Sequence, residues 1–245
     1  MRYRVLATDY DGTVAHDGRV DEITLEALRR LRRAGHRIVL VTGREMTDLF
    51  NTFAHVDLFD RVVAENGAVL YDPSSKTMEE LAPAPPLPLV ERLTREGVPL
   101  SVGHSILATV EPHEHAVLAA IRDLALEWHV IFNKGSVMAL PADVTKATGL
   151  APALEALGMS LEETIGIGDA ENDQVFLRQC GLAVAVDNAL PTVKAMADIV
   201  TAGARGAGVA ELIDRWLRGE LDDVLPDPAK HHHSLHEGDR QIPVE

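Results

Sequence analysis

The sequence predicts an α/β protein: a doubly wound parallel sheet with a small α+β domain inserted into it. Two observations carry this. Short apolar runs ending in polar residues alternate with helix-periodic segments at both ends of the chain, and a proline-marked stretch of different pattern separates them. The 245 residues are enough for such a core and an inserted unit.

Val5-Leu6-Ala7 reads as a buried parallel strand that delivers Thr8-Asp9 at its C-terminal end. A helix follows, with Ile23, Ala27, Leu28, Leu31 and Ala34 at helical spacing, Asp21 placed to cap its start and Gly35 to end it. The second strand, Ile38–Val41, runs into Thr42-Gly43-Arg44, and the third, Val62–Ala64, into Glu65-Asn66-Gly67. Pro83, Pro85, Pro86 and Pro88 open the inserted domain, where strands are expected around 100–102, 107–110 and 130–132 and a helix from His113 to Glu127. The core pattern resumes with Thr164–Ile167 before Gly168-Asp169, a helix through Val175 and Leu177, and a strand from Leu182 to Val186. The expected division is therefore 1–82 and 142–218 for the core, 83–141 for the insertion, and 219–245 for a disordered tail rich in Pro, His and charge.

With 23 Lys and Arg against 38 Asp and Glu, the net charge of −15 opposes a nucleic-acid backbone and an anionic membrane surface, so neither is an expected partner. The same charge repels phosphate esters at long range, so a phosphate site needs local cations or a metal. The single cysteine, Cys180, leaves no internal disulfide framework, and the N-terminus lacks the long apolar run of a leader or a membrane span. The expectation is a cytoplasmic protein.

Asp9-Tyr10-Asp11 puts two carboxylates at i and i+2, both able to face one side of an extended strand end. Asp9 suits a nucleophile toward phosphorus and Asp11 an acid and base; beside a phosphate dianion they require a cation, expected to be Mg²⁺ on oxygen ligands Asp9, Asp169 and Asp173. Thr42 offers a hydroxyl and Gly43 an unobstructed backbone N–H for a phosphoryl oxygen. Lys146 supplies a neutralising charge, with Lys134 as the competing lysine. Asp173 has an alternative role as a helix cap. Because ligands of open α/β sheets bind outside the carboxyl ends of the strands, these segments are expected to meet in one crevice.

Asp9-Tyr10-Asp11-Gly12-Thr13, Val41-Thr42-Gly43-Arg44, Lys146 and Gly168-Asp169-Ala170-Glu171-Asn172-Asp173 resemble, in order and spacing, the four motifs of the haloacid dehalogenase superfamily. Glu65-Asn66-Gly67-Ala68 and Val186-Asp187-Asn188-Ala189 resemble two further signatures of its Cof-like, class IIB branch. Tyr10 departs mildly from the usual Phe, Leu or Val. The resemblance spans residues 3–215 and implies a Rossmann-like core, a compact C2-type cap, and Mg²⁺-dependent hydrolysis of small phosphate monoesters, phosphoglycolate-like or sugar phosphates, through phospho-Asp9. It also implies a phosphate contact for Asn172, a role for Asn188, and a metal contact for the Asp11 backbone carbonyl. Between Pro83 and Thr145 only Arg92, Arg95, Arg122 and Lys134 face seven acids, which favours a small phosphorylated metabolite as partner over a polyanion. A phosphomutase of the same superfamily and a non-catalytic phospho-ligand-binding module are the alternatives. His104, His113 and His115 in the cap, and His231, His232, His233 and His236 in the tail, carry no assigned role.

Overall fold

The computed structural model describes residues 2–133 and 135–227. The chain opens with β1 (Val5–Thr8), α1 (Glu22–Arg33), β2 (Arg37–Val41), α2 (Met46–Thr52) and β3 (Arg61–Ala64). All four residues of β1 are buried, which is why the run carries no alternation. In α1, Leu25, Leu28 and Leu31 form the inner stripe; Asp21 Oδ1 accepts from the Thr24 N–H at 2.7 Å, and Gly35, at φ +92°, turns the chain away after the last turn.

A hairpin follows, β4 (Val69–Asp72) and β5 (Thr77–Glu80). The inserted segment holds α3 (Leu87–Arg95), β6 (Ser101–Val102), β7 (Leu107–Val110), α4 (Glu114–Asp123), β8 (Trp128–Asn133) and β9 (Ser136–Pro141). The chain then returns through α5 (Lys146–Glu155), β10 (Thr164–Gly168), α6 (Gln174–Leu177), β11 (Leu182–Ala185), α7 (Pro191–Met196), β12 (Ile199–Val200) and α8 (Arg205–Leu217).

The large sheet has the order β12-β11-β10-β1-β2-β3-β4-β5, parallel from β12 to β3 and antiparallel in the β4–β5 hairpin at one edge. The antiparallel edge is an addition to the expected parallel sheet, and β5 blunts it with the exposed Glu79 and Glu80. The strand order reverses direction at β1, which pairs with β2 on one side and with β10 on the other. That reversal opens a crevice at the carboxyl ends of β1 and β10.

The smaller sheet, β6-β7-β9-β8, is antiparallel. Period-two alternation splits its faces: Leu107, Val137 and Ala139 pack with Leu89, Leu93, Val117 and Ala120 of α3 and α4, whereas Ile106, Met138 and Leu140 face the core with Ala68 and Val144. This sheet roofs the crevice.

Two expectations need correction. The helix predicted from His113 to Glu127 stops at Asp123, because Ala125 adopts φ +50° and turns the chain so that Leu126 and Trp128 pack on the cap cluster. The tail predicted from residue 219 is packed as far as the structure describes it: Leu221 is fully buried, the Tyr3 hydroxyl donates to the Val224 carbonyl at 2.9 Å, and the Asp227 N–H donates to Asp198 Oδ1 at 2.8 Å. The rest of the tail, 228–245 with its histidines, and Lys134 lie outside the described residues. Among the described residues no helix is long and apolar enough to cross a membrane.

Candidate active site

Asp9 is the first residue beyond β1, and its N–H donates to the Ile167 carbonyl of β10 at 3.0 Å, so the chain still runs in strand register where the carboxylate begins. The turn that follows passes through Gly12 at φ +95°. Asp169 follows β10 and Thr42 follows β2, so the order reversal at β1 brings three strand ends, far apart in sequence, to one place.

Lys146 reaches the same point from α5. It is the first residue of that helix, where a cation opposes the helix dipole. Close packing of the helix start explains its placement: a Cβ on Gly149 would lie 2.5 Å from the Gly67 Cα, and one on Gly67 would lie 1.9 Å from the Thr145 carbonyl oxygen. Only glycines allow this approach. It carries the Lys146 ammonium to 2.5 Å from Asp9 Oδ1 and 2.6 Å from Asp173 Oδ1, with all three side chains buried. Burial alone would pull the lysine down, but Asp173 and Asp9 hold it above its ordinary range.

Asp173 does more than face the lysine. Its Oδ2 accepts from the N–H groups of Asp169 and Ala170 at 2.9 Å each, so it fixes the turn that presents Asp169; it makes no side-chain cap bond to α6, the helix that follows it. Gly168 permits the turn, since a Cβ there would come 2.7 Å from that of Asp173. Thr13, to which the sequence assigned no role, donates from Oγ1 to Asp169 Oδ1 at 3.1 Å. Oxygens of Asp9, Asp169 and Asp173 lie within 4.8 Å of one another, three buried carboxylates of which Lys146 pairs with two, Asp9 and Asp173. The imbalance shows in Asp9, which burial first and Asp173 next push up to about 8 against the pull of Lys146. An all-oxygen, excess-negative set of this kind can hold a hard divalent cation.

The Thr42 hydroxyl accepts from the Arg44 N–H at 3.1 Å and keeps its own proton to donate. Gly43 borders the cleft and packs on the Asn66 amide. Asn172 donates to Asn66 Oδ1 at 3.0 Å, which places it beside Lys146 on the flank of the cleft that β8 covers. Asn188 donates to the Gly12 carbonyl at 2.9 Å and accepts from the Arg205 N–H at 2.7 Å, tying the first loop to α8. Asp11 is gripped by Arg44, whose Nε and Nη2 donate to its two oxygens at 2.7 and 2.8 Å.

The cleft holds about 470 Å³ between this floor and a roof made of Ser101, Ile106, Ala108, Ser136 and Met138. The cap is clasped to the core by Glu65, fully buried at the end of β3, whose carboxylate accepts from the N–H groups of His104, Ser105 and Ile106 at 2.9 to 3.0 Å. Sequence reasoning gave neither Arg44 nor Glu65 a role; their positions inside the Thr-Gly-Arg and Glu-Asn-Gly strand ends were the available signal. Of the cap histidines, His104 pairs with the exposed Glu80, and His113 and His115 stand off the cleft lining.

The family model for haloacid dehalogenase-like hydrolases matches residues 6–97 and 109–213. The phosphoglycolate phosphatase of Methanothermobacter thermautotrophicus is 31% identical over 226 residues, covering 87% of this chain and 99% of its own. A haloacid dehalogenase-like hydrolase from Bacteroides thetaiotaomicron superposes with a TM-score of 0.74 at 22% identity, over 87% of this chain and 99% of that one. A HAD subclass IIB sugar phosphatase does so with a TM-score of 0.71 at 21% identity, over 87% and 98%. Two strand-end carboxylates, a buried lysine and an acidic turn under an α+β roof thus coincide with a match over 87% of the chain: the chain belongs to the haloacid dehalogenase-like hydrolase family, as a phosphatase.

Proposed function

We propose that the chain hydrolyses small phosphate monoesters, phosphoglycolate-like esters first and sugar phosphates second, through a phosphorylated Asp9. The observation that carries this reading is the Asp9 carboxylate, buried at the crevice, paired with Lys146 at 2.5 Å and bordering the cleft beside Asp11. The phosphoglycolate phosphatase that matches most of the chain supports the substrate class.

The phosphoryl group sits against Lys146, the Thr42 hydroxyl and the Gly43 N–H, with Asn172 alongside. An Asp9 oxygen attacks phosphorus and the ester P–O bond breaks, while Asp11 gives its proton to the departing oxygen. Asp11 then takes a proton from a water that attacks the same phosphorus, the Asp9–phosphorus bond breaks, and inorganic phosphate leaves. Asp9, Asp169, the Asp11 backbone carbonyl and the shared Oδ1 of Asp173 would hold Mg²⁺, which supplies charge neutralisation of the phosphoryl oxygens.

The test is phosphate release from a panel of small esters, including phosphoglycolate and hexose phosphates, with and without Mg²⁺, beside Asp9→Asn. Metal-dependent release that the variant loses supports the reading. Turnover only with a sugar bisphosphate activator would return the phosphomutase, and binding without turnover the ligand-binding module.

A further inference from the structure

Two cations face the cleft among its described lining residues, Lys146 and Arg44, and they differ in how tightly they are held. The Lys146 partners are 6% and 0% exposed. The Arg44 partners are 34% exposed for Asp11 and 55% for Asp48. Ion pairs open to water are weak and exchange readily, whereas a buried pair cannot be opened without stranding a charge. Arg44 is therefore the cation free to change partners.

Its setting is built for a planar anion. Nε and Nη2 present a two-pronged fork to Asp11, Nη1 is anchored on Asp48 Oδ2 at 2.6 Å and on Thr52 Oγ1 at 3.2 Å, and Cζ lies 5.1 Å from the centre of the Tyr10 ring. The Nη1 contacts leave Nε and Nη2 to Asp11, and Arg44 and Asp11 both border the cleft. The carboxylate on that fork belongs to Asp11, two residues from Asp9, so the fork stands close to the phosphoryl position. The roof above offers hydroxyl, methyl and thioether groups and no charge. A charged substituent on the substrate thus finds its counter-ion at Arg44.

We propose that Arg44 determines substrate preference by exchanging Asp11 for a carboxylate of the substrate, selecting phosphate monoesters that carry a carboxylate one or two carbons from the ester oxygen. This rests on the phosphatase reading. A substrate carboxylate takes both prongs of the fork and frees the Asp11 side chain to turn toward the ester oxygen. A neutral ester of the same size leaves Asp11 gripped and gains no ion pair. The exchange breaks no covalent bond.

The experiment compares phosphoglycolate with 2-hydroxyethyl phosphate, equal in size but neutral beyond the phosphate, on the Mg²⁺-loaded full chain and on Arg44→Lys and Arg44→Gln. The wild type is expected to favour phosphoglycolate by roughly 100-fold in kcat/KM, the scale of a hydrogen bond to a charged group, since with the neutral ester Arg44 keeps Asp11 as its partner. Arg44→Gln is expected to bring that ratio to within roughly threefold of unity, chiefly through KM for phosphoglycolate, and Arg44→Lys to restore only part of it because one ammonium cannot replace the fork. A wild type that turns over both esters equally overturns the inference without any variant, and so does a variant that slows both esters in proportion and keeps the ratio. Failure of the wild type to hydrolyse either ester, with or without Mg²⁺, overturns the phosphatase reading itself and the inference with it.

Discussion

The two walls of the cleft are made on different principles. On the core wall nearly every polar side chain is shared: Lys146 joins Asp9 to Asp173, Asp173 joins Lys146 to the 169–170 turn, and Thr13 holds Asp169. On the cap wall Ser101, Ile106, Ala108, Ser136 and Met138 carry no charge, and the wall is held from outside the cleft by Glu65. On the proposed reading, a preorganised floor acts on whatever phosphate reaches it, while a neutral roof limits size and shape. Reaction type is therefore a property of the core, and substrate choice is left to the roof and to the floor residues with exposed partners.

That contrast can be broken most sharply at Asp9. Asp9→Asn is expected to lower kcat by on the order of 10⁴-fold or more, the scale of losing a nucleophile, read as steady-state phosphate release. Next comes the metal. Chelation is expected to reduce turnover to background and Mg²⁺ to restore it. Because the Asp9 carboxyl is pushed up to about 8, the metal has to displace a proton from the site; Mg²⁺ affinity should therefore rise with pH until about 8 and level off above it, measurable by calorimetry.

Stability should follow the same division. Lys146→Met removes the cation from a buried network and is expected to cost about 3–5 kcal/mol in urea unfolding, since it strands Asp9 and Asp173. Glu65→Gln sets an amide N–H₂ against donors of the cap turn and is expected to cost about 1–3 kcal/mol, with faster hydrogen exchange at residues 104–106. Smallest should be Ser136→Ala in the roof, which is expected to shift KM by less than about tenfold. A roof substitution costing as much as Lys146→Met would remove the distinction between the walls.

The core strands were legible because each is a short, wholly buried apolar run that ends in a polar turn, as Val5–Thr8 and Thr164–Gly168 are. Convergence of Asp9, Thr42 and Asp169 was legible for the same reason, since strand ends of a doubly wound sheet share one crevice. What escaped depends on distant partners. Nothing near Arg44 announces that it grips Asp11, 33 residues away, or near Glu65 that its carboxylate caps a turn about 40 residues on. The packing of the segment around Leu221 likewise depends on a distant partner, the Tyr3 hydroxyl that donates to the Val224 carbonyl, and not on the polar sequence around it. The end of α4 escaped because the left-handed turn at Ala125 falls on a residue with high helix propensity.

The central place of β1 has a consequence for how the chain is made. One edge of β1 is paired as soon as β2 exists, but the other waits for β10, whose last residue is Gly168. At ordinary rates of synthesis the interval is roughly ten seconds. During it a strand whose residues are all buried in the finished fold stands as a bare edge next to Asp9, the kind of edge that pairs with other chains. Fragments that stop before residue 164 should therefore self-associate, and the protection of nascent chains should matter most between the synthesis of β2 and that of β10.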